Sequence, residues 1–154
     1  MNLESTMNFL SPFISQERTL NKASLSSQKR VFEVLSNLLQ NPDDGVSGDL
    51  IYQKLFERER IGSTVIGRGV AVPHCRVEKL EVTRLAILTL ESPLEYDTNQ
   101  QAVEVFIAAI FPLEVNDVHI QFMAELVKFL KRPNMLEHIR KADSNEALYA
   151  LFSQ

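Results

Sequence analysis

Apolar and polar positions along this chain follow two rhythms, and the change between them divides it into elements. Downstream of Ser24 to Ser27, whose hydroxyls can cap backbone N–H groups, Val31, Phe32, Leu35, Leu38 and Leu39 recur at three- and four-residue intervals, which predicts a helix with one apolar face. Turn and breaker residues gather in NPDDG, Asn41 to Gly45, and end it. A second helix is predicted from Ser47 or Asp49 through Leu50, Ile51, Leu55 and Phe56, closing in the charged run Glu57 to Arg60, read as a solvated helix end. From Ile61 the grain changes: IGSTVIGRGVAVPH sets three glycines among β-branched residues, a composition of loops and short strands. RLAILTL (Arg84 to Leu90) and VEVFIAAIF (Val103 to Phe111) are apolar runs bounded by Pro93 and Pro112, as buried central strands require. Helical spacing returns at Val118, Phe122, Met123, Leu126, Val127 and Leu130, with Asn116 or Asp117 as the cap and Pro133 as the stop. Two short helices, near Asn134 to Arg140 and Asn145 to Phe152, complete the chain.

Helices, then strands, then helices predict an α/β protein, a three-layer α/β/α sandwich whose small mixed sheet is covered by helices on both faces. One domain is expected over residues 21–154, preceded by a partly flexible extension over 1–20. With 154 residues and 45% hydrophobic content, the chain can build its own core without metal or disulfide support.

Charge narrows the function classes. A net charge of -4 argues against a broad electrostatic grip on nucleic acid or anionic lipid, so neither nucleic-acid binding nor membrane insertion is expected. The single cysteine, Cys75, cannot form an internal disulfide and suits a reducing compartment, making a cytoplasmic location the expectation. No stretch approaches the run of apolar residues that a membrane helix needs, and Glu4 stands where a signal peptide wants positive charge.

Candidate chemistry centres on three histidines, at 74, 119 and 138. His138, among Leu136, Glu137 and Arg140, reads as a surface residue. His74 follows Pro73, which removes a backbone donor and fixes φ, favouring an extended approach and an abrupt change of direction. It is either a packed strand-end histidine or a presented one. If Asn116 is the cap, His119 falls in the first helical turn, where the positive end of the dipole disfavours an imidazolium and favours a neutral hydrogen-bond donor. Together the two would describe a nucleophile beside an anion pocket. Metal is not expected, because there is no H-E-x-x-H or C-x-x-C spacing, and GSTVIGRG lacks the Gly-Lys-Ser/Thr of a nucleotide loop. Cys75 neighbours His74 on an extended segment, so their side chains should point to opposite sides.

The stretch RERIGSTVIGRGVAVPHCR resembles the active-site signature of phosphotransferase-system IIA domains of the fructose/mannitol type, approximately R-E-x-x-G-S-T-x-I-G-x-G-x-A-I-P-H. The lead-in SSQKRVFEVLSNL, the segment FPLEVNDVHIQFMAELVKFL and the terminal KADSNEALYALF extend the resemblance from about Leu20 to the end, and it is nearest to the nitrogen-regulatory type. The resemblance implies a single type-2 EIIA domain in which His74 accepts a phosphoryl group from the phosphohistidine of an HPr-like (NPr-type) carrier protein. It further implies that Arg58 stabilises the phosphoryl charge and that His119 donates to it, with Gly62, Ser63, Thr64 and Gly67 as loop neighbours. No cofactor or metal is implied, and the activity is transfer through a covalent phosphohistidine rather than turnover of a small molecule. Partners implied by the nitrogen-regulatory type are potassium- or nitrogen-related regulators. A sugar-transport IIA passing phosphate to a IIB domain, and a docking module never phosphorylated, are the alternative readings.

Three positions depart from the family pattern: Arg68 stands for Asn, Cys75 for Gly, and Arg76 where Lys is common. A glycine after His74 would permit positive φ, so Cys75 is expected to be strained or to alter partner fit, and to be oxidation-sensitive if exposed beside Arg76. Arg68 is expected to add positive charge near the surface that meets the donor.

Overall fold

A computed structural model describes residues 9–97, 99, 101–114 and 117–153, with the side chains of residues 117–119 outside that description. Helix α1 (Gln28–Leu39) begins where the Ser27 side chain accepts from the Arg30 N–H, and α2 (Gly48–Ile61) where Ser47 accepts from the Leu50 N–H. Ser47, not Asp49, is therefore the cap. Between the two helices the chain reverses at Gly45, whose φ of 74° lies in the left-handed region that glycine adopts without steric cost. The helices pack through aromatic contacts, with the Phe32 and Phe56 rings 4.5 Å apart.

Six strands form one mixed sheet: β1 (Thr19–Ala23), β2 (Val65–Gly67), β3 (Val70–Ala71), β4 (His74–Val77), β5 (Arg84–Glu95) and β6 (Ala102–Pro112), among the described residues. The order is β1-β5-β6-β3-β2, with β4 also on β6 beyond β3. Strands β1, β3 and β4 run parallel to their neighbours β5 and β6, whereas β5 and β6 are antiparallel to each other, as are β2 and β3. The expected central strands are thus β5 and β6. β5 continues past Leu90 and through Pro93, which is tolerated because the pairing register shifts between Thr89 and Leu94.

Alternation along β5 and β6 builds two cores. Ala86, Leu88, Phe106, Ala108 and Ile110 face α1 and α2. Leu85, Ile87, Val105, Ile107, Ala109 and Phe111 face three further helices, α3 (Asp117–Leu130), α4 (Met135–Lys141) and α5 (Asn145–Ser153). The result is the three-layer α/β/α arrangement with a mixed sheet. The Asn116 cap lies outside the described residues.

Residues 9–20, expected as the end of an extension, are seated in the fold. Leu10 and Ile14 are buried in the second core, the Phe13 ring stands edge-on to Phe122 at 5.9 Å, and Thr19 opens β1. Polar residues such as Ser15, Gln16, Glu17 and Arg18 are interspersed with the apolar ones, and the irregular 3-10 turns carry no helical or strand period to read. Among the described residues no helix is long and apolar enough to cross a membrane.

Candidate functional site

Strands β3 and β4 lie end to end along β6, separated by Val72 and Pro73. Pro73 has no N–H to give, yet its carbonyl accepts from the Ala109 N–H at 2.9 Å, so the parallel pairing resumes at once with His74 opposite Ala109. His74 thus begins a strand at the end of the sheet, half-buried, with its ring edge-on to Phe111. Its Nδ1 lies 2.8 Å from the Val72 carbonyl oxygen. A carbonyl oxygen only accepts, so Nδ1 carries the proton and the lone pair of the neutral ring resides on Nε2. Burial lowers the imidazole pKa, the Val72 hydrogen bond opposes that shift, the Arg58 charge adds to it, and Glu59 opposes it. The neutral, nucleophilic form therefore prevails at neutral pH.

Arg58 and Glu59 sit in the last turn of α2, where a cation complements the helix dipole. The Arg58 Nη1 donates to the Gly62 carbonyl at 2.9 Å, holding the guanidinium at the helix end with further donors in its fork. Glu59 turns the other way. Its Oε2 accepts from the Thr64 N–H at 2.9 Å, and its Oε1 accepts from the Thr64 hydroxyl at 2.7 Å and the Tyr96 hydroxyl at 3.1 Å. Thr64 in turn accepts from the Val72 N–H at 2.9 Å. A continuous path thus runs from Glu59 through Thr64 and Val72 to the His74 ring.

The structure brings His74, Arg58, Gly62 and Thr64 into one neighbourhood. Ser63 is turned away: its hydroxyl donates to Asp97 at 3.0 Å and accepts from the Val65 N–H, beside a cavity of about 550 Å³ that Phe56, Glu59 and Tyr96 also line. Gly67 lies apart from His74. It pairs with Val70, which pairs with Val105, whereas His74 pairs with Ala109, so the two lie roughly 13 Å apart along the strands at the usual rise per residue. Its φ of 100° explains the glycine, because the β2–β3 turn needs that conformation. The His119 side chain lies outside the described residues. His138 is exposed on α4 as expected.

The departures also find their places. Cys75 is a regular strand residue without positive φ, so the expected strain is absent. Its side chain is buried in the first core, and burial pushes the thiol up to about 12, which removes the expected oxidation sensitivity. Arg68 is at the tip of the β2–β3 turn with φ of 58°, its carbonyl accepting from Arg140, so its charge sits at the far end from His74. Arg76 is exposed two residues after His74, on the same side of β4. The residues missed by sequence reasoning are Glu59, hidden in a charged run, and the backbone carbonyl of Val72, which no side-chain pattern reveals.

Residues 12–154 match the family described as phosphoenolpyruvate-dependent sugar phosphotransferase system, EIIA 2. The chain is 29% identical over 143 residues to a nitrogen regulatory protein of Pseudomonas aeruginosa, covering 92% of this chain and 93% of that one. It superposes on the crystal structure of nitrogen regulatory protein IIA-Ntr from Neisseria meningitidis with a TM-score of 0.85 at 22% identity, over 94% of this chain and 99% of that one. The IIA mannitol crystal structure from Escherichia coli gives a TM-score of 0.70 at 17% identity, over 88% of this chain and 96% of that one.

Proposed function

The chain belongs to the EIIA 2 family of the phosphotransferase system, nearest to its nitrogen-regulatory type, and from that premise we propose that it is a regulatory phosphocarrier charged on His74. The observation that carries the proposal is the Nδ1–H bond to the Val72 carbonyl, which leaves Nε2 as the attacking nitrogen. In the proposed step the Nε2 lone pair forms the new N–P bond while the N–P bond of the donor's phosphohistidine breaks, its electron pair returning to the donor nitrogen. Such transfer needs little beyond positioning and charge stabilisation. Arg58 supplies a permanent cation for the phosphoryl oxygens, and His119 is proposed as the second donor. Thr64 and Gly62 shape the loop that holds Arg58 and Glu59 in place.

The proposed donor is an HPr-like (NPr-type) carrier. Exposed apolar side chains at this end of the sheet include Ile61 at the end of α2, Leu113 just past β6, and Ile120 in the first turn of α3. They offer an apolar rim to a protein partner. A phosphoryl group brings about -1.5 to -2 charge to that rim, enough to change which surface it attracts. The proposed outputs are nitrogen- or potassium-related regulators in the cytoplasm. Nitrogen-regulatory relatives match along nearly their whole length, which favours this reading over a sugar-transport IIA that hands phosphate to a IIB domain.

Intact-mass spectrometry at mildly alkaline pH, after incubation with a phosphoenolpyruvate-driven HPr-type relay, tests the proposal. One acid-labile phosphoryl adduct that disappears in His74→Ala is expected. Folded wild-type protein that takes up no phosphoryl group would instead favour a docking module.

A further inference from the structure

We propose that Glu59 is a positioning residue for His74, setting through Thr64 and Val72 which imidazole nitrogen keeps its proton and how the ring is aimed. The proposal rests on the phosphocarrier reading of His74. Glu59 and Thr64 are joined twice, through the backbone N–H and the hydroxyl, so the start of the β2 segment cannot shift without breaking both bonds. Thr64 passes this anchoring on by accepting from the Val72 N–H, and the Pro73 carbonyl accepts from the Ala109 N–H, so the chain is held on both sides of the Val72 carbonyl. That carbonyl receives the His74 Nδ1–H. Tyr96 donates to the same carboxylate oxygen as the Thr64 hydroxyl, and burial followed by the Glu59 charge raises the Tyr96 pKa, so the phenol remains a donor at every working pH.

Charge gives the arrangement a second effect. When Nε2 takes the phosphoryl group and Nδ1 keeps its proton, the ring becomes an imidazolium. The Val72 carbonyl and the Glu59 carboxylate favour that cation, while Arg58 favours the phosphoryl oxygens and disfavours it. Successive residues at the end of α2 thus act on opposite ends of the same group. The other charged side chain close along β4 is Arg76, and on the α3 side the His119 side chain lies outside the described residues.

The test compares Glu59→Gln, Glu59→Asp and Thr64→Val with wild type by two-bond 1H–15N spectroscopy of the histidine rings, alongside single-turnover phosphoryl uptake from an HPr-type donor. Wild type is expected to hold the Nδ1–H tautomer. Glu59→Gln should mix the tautomers, lower the His74 titration midpoint, and slow uptake on the order of tenfold, as loss of an orienting partner commonly does. Glu59→Asp should recover part of each change, and the His138 midpoint should not move. An unchanged tautomer and midpoint in folded Glu59→Gln would overturn the proposal; if that variant does not fold, Thr64→Val decides it by the same readout. Should wild type accept no phosphoryl group, the carrier reading falls, and the ring spectra still decide whether Glu59 sets the tautomer.

Discussion

The two faces of β4 carry neighbouring residues into opposite chemistry. His74 and Arg76 face the side where the site opens, one half-buried and the other exposed, whereas Cys75 and Val77 are sealed into the core beneath α1 and α2. Burial acts on both reactive side chains, and in each case it favours the neutral form. For imidazole the neutral form is the nucleophile, so partial burial activates it. For thiol the neutral form is inert, so deeper burial silences it. One period-two strand therefore places a half-buried imidazole and a sealed thiol side by side on opposite faces.

The largest effect that would sharpen this comparison is on the reactive face. Arg58→Ala should slow phosphoryl uptake on the order of 100-fold, the usual scale for removing one transition-state charge partner, with little change in melting temperature. Single-turnover mass spectrometry beside a thermal melt checks both halves. The opposite pattern is expected from the sealed face: Cys75→Ser places a hydroxyl where the thiol lay and should destabilise by about 1–3 kcal/mol in urea unfolding, while uptake stays within about twofold. Wild-type Cys75 should resist iodoacetamide at pH 8 until the protein unfolds, since burial holds the thiol near 12.

A smaller, pH-dependent effect separates the faces again. The folded His74 value lies below its ordinary 6.5, so between the two the unfolded chain binds more protons than the native one. The stability contributed by His74 is complete above 6.5 and is lost as pH falls through that window. Urea titrations from pH 7.5 downward should show this fall reduced in His74→Ala. Smallest of all, Arg68→Asn relieves a left-handed backbone at the distant turn and should stabilise by about 0.5 kcal/mol with no effect on uptake.

Much of this was legible from the chain because periodicity reports burial. Helix starts near Ser24 to Ser27 and at Ser47 or Asp49, the two central strands and the three layers followed from apolar spacing and turn residues, and the structure selected Ser27 and Ser47 as the caps. β1 was not legible, because a five-residue strand at the sheet edge that mixes Leu, Asn and Lys has no clean alternation. Within the site, the proline and glycine punctuation around His74 marked a change of chain direction, and the choice between a packed and a presented ring was left to the structure, where it is half-buried. Glu59 remained hidden in a charged run, since sequence spacing cannot tell a solvated carboxylate from one that closes on a backbone N–H five residues away.

The layers, the approximate helix ends and the candidate histidines could be read along the chain, because each depends on local spacing and on residue types that restrict φ or seek burial. That Gly67 and Arg68 belong to a remote turn, that Cys75 is sealed, and that Val72 gives its carbonyl to His74 emerged from the folded arrangement. Those outcomes depend on strand register and on which face each residue presents. A shift of a single residue reverses every face, and long-range pairing with β6 fixes that register.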